Sequence, residues 1–295
     1  DDVSTGMRHA IAEMLTTEAK ASILAWSIAL EDGQVALLRF TLDLTDRDVA
    51  LDETALDAKL KRLVRGWAPA VEAALTSVAG EDAIALANRF VARFPNAYRY
   101  DVAAEEAALD IVRLAALEDQ AREIDVRLYH APAAAPQKVQ LKIYHAGGAL
   151  PLSRAVPALE NFGFVVEEEK PTALLAGEGA APYIHDFTLD LGAAGDAAAL
   201  VAQAAAMEAA IAAVLTDQAE NDGLNALMTT AGLAHDSVVW LRAWFRYLRQ
   251  TGLGYSIQTI IAALSKAPDA ARALIRLFVA LHDPKAANAK DADAA

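Results

Sequence analysis

Between Val238 and Gly252 the chain reads "VVWLRAWFRYLRQTG", which sets Arg242, Arg246 and Arg249 among Trp240, Trp244, Phe245 and Tyr247. Guanidinium groups beside aromatic rings can grip phosphate, cage a ligand, or edge a packed helix. Projected as a helix, Val238, Leu241, Trp244, Phe245 and Leu248 form one wide apolar face and the three arginines a narrow neighbouring stripe. Asp236 stands where it can cap the start, and Gly252 with Leu253 suits a Schellman-type end. A preceding helix that stops at Gly232 gives a helix-turn-helix outline. Against DNA stand forty acidic side chains to twenty-six basic ones, a formal charge of −14, because such a field repels phosphate backbones and anionic lipid headgroups. The expectation is a packed helix, with Arg242, Arg246 and Arg249 as candidates for an inter-domain or inter-subunit contact, where arginine and aromatics are enriched. Neither nucleic acid nor a membrane is an expected partner.

The other chemistry-bearing residues are dispersed. His9, His130, His145, His185, His235 and His282 form no H-x-x-x-H or similar ligand pair, so no metal site is expected. His185 beside Asp186 resembles a base with its orienter, but adjacent residues of a strand point to opposite faces, which makes a packed histidine the expectation. No G-x-G-x-x-G follows a strand and opens a helix, and "AGEGAAP" at 176–182 has neither the spacing nor the context. With no cysteine there is no disulfide framework, thiolate nucleophile or sulfur-ligated metal, in keeping with a reducing, cytoplasmic setting.

The elements that must position these residues follow from hydrophobic periodicity. Hydrophobic residues make up 55% of the chain, alanine is abundant, and helix should exceed strand. A helix over Met7–Thr17 leads to two alternating runs, with Leu24, Trp26, Ile28 and Leu30 on one face and Leu38, Phe40, Leu42 and Leu44 on the other strand's matching face. The residues "EDG" at 31–33 suit a hairpin turn. Asp52 caps a helix whose stripe is Leu56, Leu60, Leu63, Trp67 and Val71, and Pro69 predicts a kink or a break near Gly66. Another helix runs from about Asp82 to Phe94.

A helix through "EEAALDIVRLAALE" opens a second unit. Strands follow at "IDVRLYHA" and "KVQLKIYH", a helix from about Ser153 to Asn161, and strands at "GFVVEEEK" and "YIHDFTLDL". Strand, helix, strand, strand, helix is a ferredoxin-like order. Five helices follow, at about 196–215, 221–231, 236–250, 256–264 and 268–281. The chain is thus expected to be α+β: a helix-flanked antiparallel sheet unit over 1–100, a ferredoxin-like unit over 101–195, an all-helical segment over 196–284, and a linker or frayed tail over 285–295. The start "DDVSTGMRHAI" has neither an initiator Met nor a basic region before an apolar core, and the chain reads as a piece of something longer.

Several islands stand together in order: "DVSTGMRHAI", "ALDAKLKRLVRGWAPAVEAAL", "ANRFVARFPNAYRYDVAAEEAALDIVRL", "LSRAVPALENFGFVVEEEKP", "YIHDFTL" and "ENDGLNALMTTAGLAHDSVVWLRAWFRYLRQTGLGYSIQTI". This ordered set resembles the large, multidomain bacterial NAD-specific glutamate dehydrogenases over nearly the whole chain. The resemblance implies the non-catalytic region upstream of the dehydrogenase domain: a PAS-like or related unit, an ACT-like unit and a helical segment. It implies NAD in the parent's catalytic domain and no cofactor here, a homo-oligomer, and the missing catalytic domain as partner.

In ACT-like units the turn between first strand and helix is where backbone amides can meet an amino-acid effector. That makes Gly147, Gly148, Ser153 and Asn161 candidate ligand-binding residues, with Ser153 also a candidate helix cap. The same glycines equally make only a tight turn, and Asn161 with Gly163 equally only ends the helix. Two functions follow: a regulatory and assembly segment, or an amino-acid or metabolite sensor coupled to an attached dehydrogenase. A free-standing enzyme lacks a nominated nucleophile, acid/base pair or cofactor loop.

Overall fold

The computed structural model describes residues 5–31, 35–44, 51–130, 135–176, 181–192, 196–252 and 254–283. The chain is α+β and divides into two compact units, residues 1–119 with 172–179 and residues 120–171 with 180–295. The expected turn at 31–33 falls partly, and the tail over 285–295 wholly, outside the described residues.

The first unit opens with α1 (Thr5–Ala19) and an antiparallel hairpin of β1 (Ile23–Glu31) and β2 (Val35–Leu42). Trp26 lies opposite Phe40 and Ile28 opposite Leu38, so the alternating runs do share one face. α2 (Glu53–Arg65) is capped by Asp52, whose Oδ1 accepts from the Thr54 and Ala55 amides at 2.9 and 3.1 Å. The chain then breaks at Gly66, where φ is +82°, and α3 (Trp67–Ala79) begins. Pro69 therefore sits in the first turn of α3, where its absent N–H removes no helix bond.

After α4 (Ala83–Phe90) a 3₁₀ turn over Val91–Arg93 leads to the short α5 (Asn96–Asp101) and to α6 (Ala104–Asp119). One helix was expected from Asp82 to Phe94; it ends at Phe90. Tilting the chain there lets Phe94 and Tyr98 pack edge-on against Trp67, with ring centres 5.6 and 6.2 Å away. α6, which the sequence places at the head of the second unit, packs with α3 and α4 in the first, with its Ile111 and Leu114 fully buried.

The second unit contains β3 (Ile124–Tyr129), β4 (Lys138–His145), α7 (Leu152–Asn161), β5 (Val165–Ala173) and β6 (Tyr183–Asp190). α8 (Ala197–Val201), α9 (Ala204–Leu215), α10 (Ala226–Thr230), α11 (His235–Gln250), α12 (Ile257–Lys266) and α13 (Pro268–His282) follow. The single helix expected over 196–215 is interrupted after Val201. The sheet order is β3-β4-β6-β5, with β3/β4 and β4/β6 antiparallel. β4, α7, β5 and β6 make a split βαβ arrangement, and β3 takes the edge place that the last strand of a ferredoxin-like unit fills. The ferredoxin-like expectation thus holds in space with its fourth strand first in the chain.

Val139, Leu141, Ile143, Phe187 and Leu189 face α7 and α9 in one core that continues through Leu224, Val238 and Leu241 to Ile275. Both outer edges of the sheet are guarded. The Leu128 amide on β3 donates to Glu208 of α9 at 2.9 Å, and β5 carries Glu167, Glu168, Glu169, Lys170 and Pro171. Among the described residues no helix is long and apolar enough to cross a membrane.

Candidate functional site

The turn after β4 is pinned by two histidines. His145 donates from Nδ1 to the Gly148 carbonyl at 2.6 Å, and the Ala146 amide donates to the Glu123 carbonyl at 3.0 Å. His185 Nε2 accepts from the Leu150 amide at 2.9 Å while its Nδ1 donates to Glu169 Oε1 at 2.8 Å. That pattern fixes a neutral imidazole, and burial pushes the His185 pKa down, against the raising effect of Glu169 and with a smaller lowering effect from His145. His185 is therefore a packed histidine with a positioning task, which its place in an alternating strand could not reveal.

Gly148 has φ +96°, with open space where a Cβ would stand, so its conformation rather than crowding calls for glycine. At Gly147 a Cβ would lie 3.2 Å from the His145 ring. Ser153 is exposed inside the first turn of α7; Pro151 occupies the cap position, so Ser153 does not cap the helix. Asn161 lies at the other end of α7, about 12 Å from Ser153 at 1.5 Å per residue. The structure brings Gly147 and Gly148 together and leaves Asn161 apart from them.

Asn161 belongs instead to a second cluster. Its Nδ2 donates to Asn221 Oδ1 at 2.9 Å. Arg242, 2% exposed, donates from Nε and Nη2 to the two Asp222 oxygens at 2.8 and 2.9 Å, and from Nη2 to Asn225 Oδ1 at 3.0 Å. Asn225 donates to the Glu220 carbonyl at 2.9 Å, and Asp222 Oδ1 also accepts the Leu224 amide at 3.0 Å. Arg246 grips the Glu220 carboxylate with both terminal nitrogens.

The islands "ENDGLN" and "LRAWFR" thus fold onto each other, with forked guanidinium–carboxylate geometry. Arg249 lies over the Phe245 ring at 6.0 Å. Trp240 and Trp244 pack on Phe278 of α13 at 5.3 and 4.9 Å. Trp240, Trp244 and Phe245 join the core while Tyr247 stays exposed, and two of the three arginines meet acidic groups of their own chain. At the start of α11, Ala234 rather than Asp236 holds the cap position, with Asp236 in the first turn. Leu253 lies outside the described residues.

A cleft of about 550 Å³ opens between α8–α9 and α10–α13. Leu200, Met207, Met228 and Leu233 line it with apolar surface, and Asp196 and Arg272 add one charge of each sign. Sequence periodicity gave no sign of it, because its walls come from five separate segments. Among the described residues no group of His, Asp and Glu is arranged to hold a metal ion.

A permuted ferredoxin-like sheet with two helices on its core face, fused to a helical bundle, is the architecture of an ACT-type unit with its helical motif. In chain order, the glutamate dehydrogenase ACT2 domain matches residues 1–68, its helical motif 2 residues 73–117, its ACT3 domain residues 123–202 and its helical motif 3 residues 219–284. The segment expected to be PAS-like or related is thus the ACT2 match with helical motif 2 behind it.

The chain is 31% identical over 286 residues to the NAD-specific glutamate dehydrogenase of Halomonas elongata, covering 96% of this chain and 18% of that protein. It is 31% identical to the Pseudomonas aeruginosa protein of the same name, covering 94% and 17%, and 29% identical to the Mycobacterium tuberculosis one, covering 100% and 19%. The chain belongs to the large NAD-specific glutamate dehydrogenase family, as its ACT and helical-motif region, and spans under a fifth of the length of these curated relatives.

Proposed function

We propose that this chain is a regulatory and assembly segment of a large NAD-dependent glutamate dehydrogenase. The parent deaminates glutamate oxidatively to 2-oxoglutarate, with NAD held in a catalytic domain outside residues 1–295, and works as a cytoplasmic homo-oligomer. The observation that carries this reading is the clamp of Arg242 and Arg246 on Asp222 and Glu220, joined by Asn161 on Asn221. The arginine clamp folds helical motif 3 onto itself, and the Asn161–Asn221 bond ties it to α7 of the ACT3-type unit, which suits a segment that transmits position rather than performing chemistry. Arg249 stands beside Tyr247, 67% exposed, and Leu248, 45% exposed, on the solvent side of α11. That patch, edged by Arg246, is the assembly surface in this proposal. Sedimentation of the full-length dehydrogenase carrying Arg249→Glu and Tyr247→Asp tests it. Smaller species with an unchanged melting curve support the surface, and unchanged sedimentation removes it.

The 550 Å³ cleft favours a second reading, a sensor of an amino acid or of 2-oxoglutarate. A ligand at about a hundred times its Kd adds roughly 2.7 kcal/mol to the folded state, enough to move a melting curve. Met228→Trp would block the cleft and Ser153→Trp the turn at Gly147 and Gly148. A shift lost in only one of these variants assigns the site; no shift from any amino acid or from 2-oxoglutarate removes the sensor.

A further inference from the structure

Two groups of opposite charge face the cleft between α8–α9 and α10–α13, and no ion pair joins them. Asp196 is exposed; its Oδ1 caps α8 by accepting the Ala199 amide at 3.1 Å, and no cation among the described residues pairs with it. Arg272 donates from Nη1 to the Ala231 carbonyl at 2.9 Å and from Nη2 to Asp269 at 2.8 Å, which leaves its Nε–H and one N–H on each terminal nitrogen for other acceptors. The Asp269 side chain is 94% exposed, so that pair is worth little and yields to a better-held carboxylate.

Beneath these charges the walls are apolar. Leu200 and Leu233 are 8% exposed, Met228 5% and Met207 3%, while Asp196 and the half-buried Arg272 stand nearer solvent. Asp196 and Leu200 belong to the ACT3-matched residues, and Met228, Leu233 and Arg272 to those of helical motif 3. The cleft therefore sets one charge from each segment over a shared apolar wall, and its volume of about 550 Å³ suits a small molecule. It is distinct from the strand–helix turn at Gly147 and Gly148, whose residues do not line it.

We propose that the cleft binds a free α-amino acid with an apolar side chain, such as leucine or methionine, its ammonium on Asp196, its carboxylate on Arg272 and its side chain between Leu200, Met207, Met228 and Leu233. The inference rests on the sensor reading of this cleft and selects among its candidates. A zwitterion with both charges on one carbon bridges two groups that do not reach each other, and it gives each a charged partner. The lining charges cancel, so a second carboxylate finds no cation. Glutamate and 2-oxoglutarate would set theirs against Asp196 or among the apolar walls, where an unpaired charge is costly. An apolar side chain gains by leaving water. The unbranched thioethers of Met207 and Met228 adapt to its outline, so the cleft selects apolar character rather than one shape. With its two charges held by two segments, the ligand favours the arrangement in which they stand at its own span, which is the differential affinity a sensor needs.

Methyl NMR tests the proposal, because the chain has four methionines and two of them wall the cleft. In protein labelled at the methionine methyls, titration with L-leucine should move Met207 and Met228 and leave Met7 and Met14 of α1 in place. L-Glutamate, 2-oxoglutarate, 4-methylpentanoate (leucine without its ammonium group) and 3-methylbutylamine (leucine without its carboxylate) should each bind at least about tenfold more weakly. Asp196→Asn, which can still cap α8, and Arg272→Gln should each raise the leucine Kd by about tenfold or more. Leucine binding that neither substitution weakens, or that glutamate or 4-methylpentanoate matches, overturns the inference. So does a melting shift from leucine with both cleft methyls unmoved, which puts the site elsewhere. Glutamate or 2-oxoglutarate moving those methyls while leucine does not overturns the inference and keeps the sensor; no effect from any amino acid or from 2-oxoglutarate removes both.

Discussion

The two sheets of this chain start from the same ingredients and end differently. β1 and β2 alternate as cleanly as β4 and β6, and each pair has helices beside it in sequence. In the second unit, alternation produces Leu141, Ile143, Phe187 and Leu189 with no exposed surface. In the first, it leaves Trp26 and Ile28 about half in water. What differs, among the described residues, is the number of mated edges, four strands with guarded ends against two strands with none. Alternation specifies which face is apolar, and the count of strands decides whether that face becomes a core.

Substitutions can sharpen or break that contrast. The largest effect is expected at the clamp of the better-built unit. Asp222→Ala removes the forked partner of buried Arg242 and leaves it only the Glu220 carboxylate, at 3.7 Å, which should cost roughly 3 kcal/mol in a urea melt; a loss below about 1 kcal/mol would mean that the clamp is ornamental to folding. Next come matched truncations in the two sheets. Leu141→Ala should cost about 2–5 kcal/mol, and Leu24→Ala, at an exposed site, within about 0.5 kcal/mol. Equal losses would erase the difference between the sheets.

The smallest effect is a pH slope. His185 is held neutral with a depressed pKa, so the unfolded chain takes up its proton first as pH falls through about 6.5, the ordinary value. Stability from this group is complete above that pH and declines below it toward the depressed native pKa. Melts at pH 7.5 and pH 5.0 should therefore differ more in the native chain than in His185→Asn; the same difference in both would show that His185 does not contribute.

Much of this was legible from residues alone, and the failures are instructive. Period-3.6 spacing located α11, and the break at Gly66 followed from Pro69. Strand alternation gave β6 from Tyr183 to Asp190. The ordered islands also gave the family. Pro151 displaced Ser153 from the cap because a residue before the helix was read as loop. The interruptions at Phe90 and Val201 were hidden by continuous alanine-rich helix propensity, which tertiary packing overrode. Gly147 and Gly148 were correctly seen as a turn, but that two buried histidines hold it depends on distances between β4, β5 and β6. That Arg242 and Arg246, candidates for a contact with another domain or subunit, pair within the chain is hidden in the sequence because their acidic partners lie 20 and 26 residues away; no helical or strand period links them.

Gly163 ends α7 with φ +88°, and a Cβ there would stand 2.9 Å from Thr229 Oγ1 and 3.3 Å from the Ala226 side chain. Thr229 also donates to the Phe162 carbonyl at 2.7 Å. Two segments matched separately, ACT3 at 123–202 and helical motif 3 at 219–284, therefore touch without a spare atom between them. The stretch between their limits is not a place to cut: a truncation after residue 202 would strip one wall from a single core, and experiments that dissect the parent into pieces should carry residues 120–283 as one.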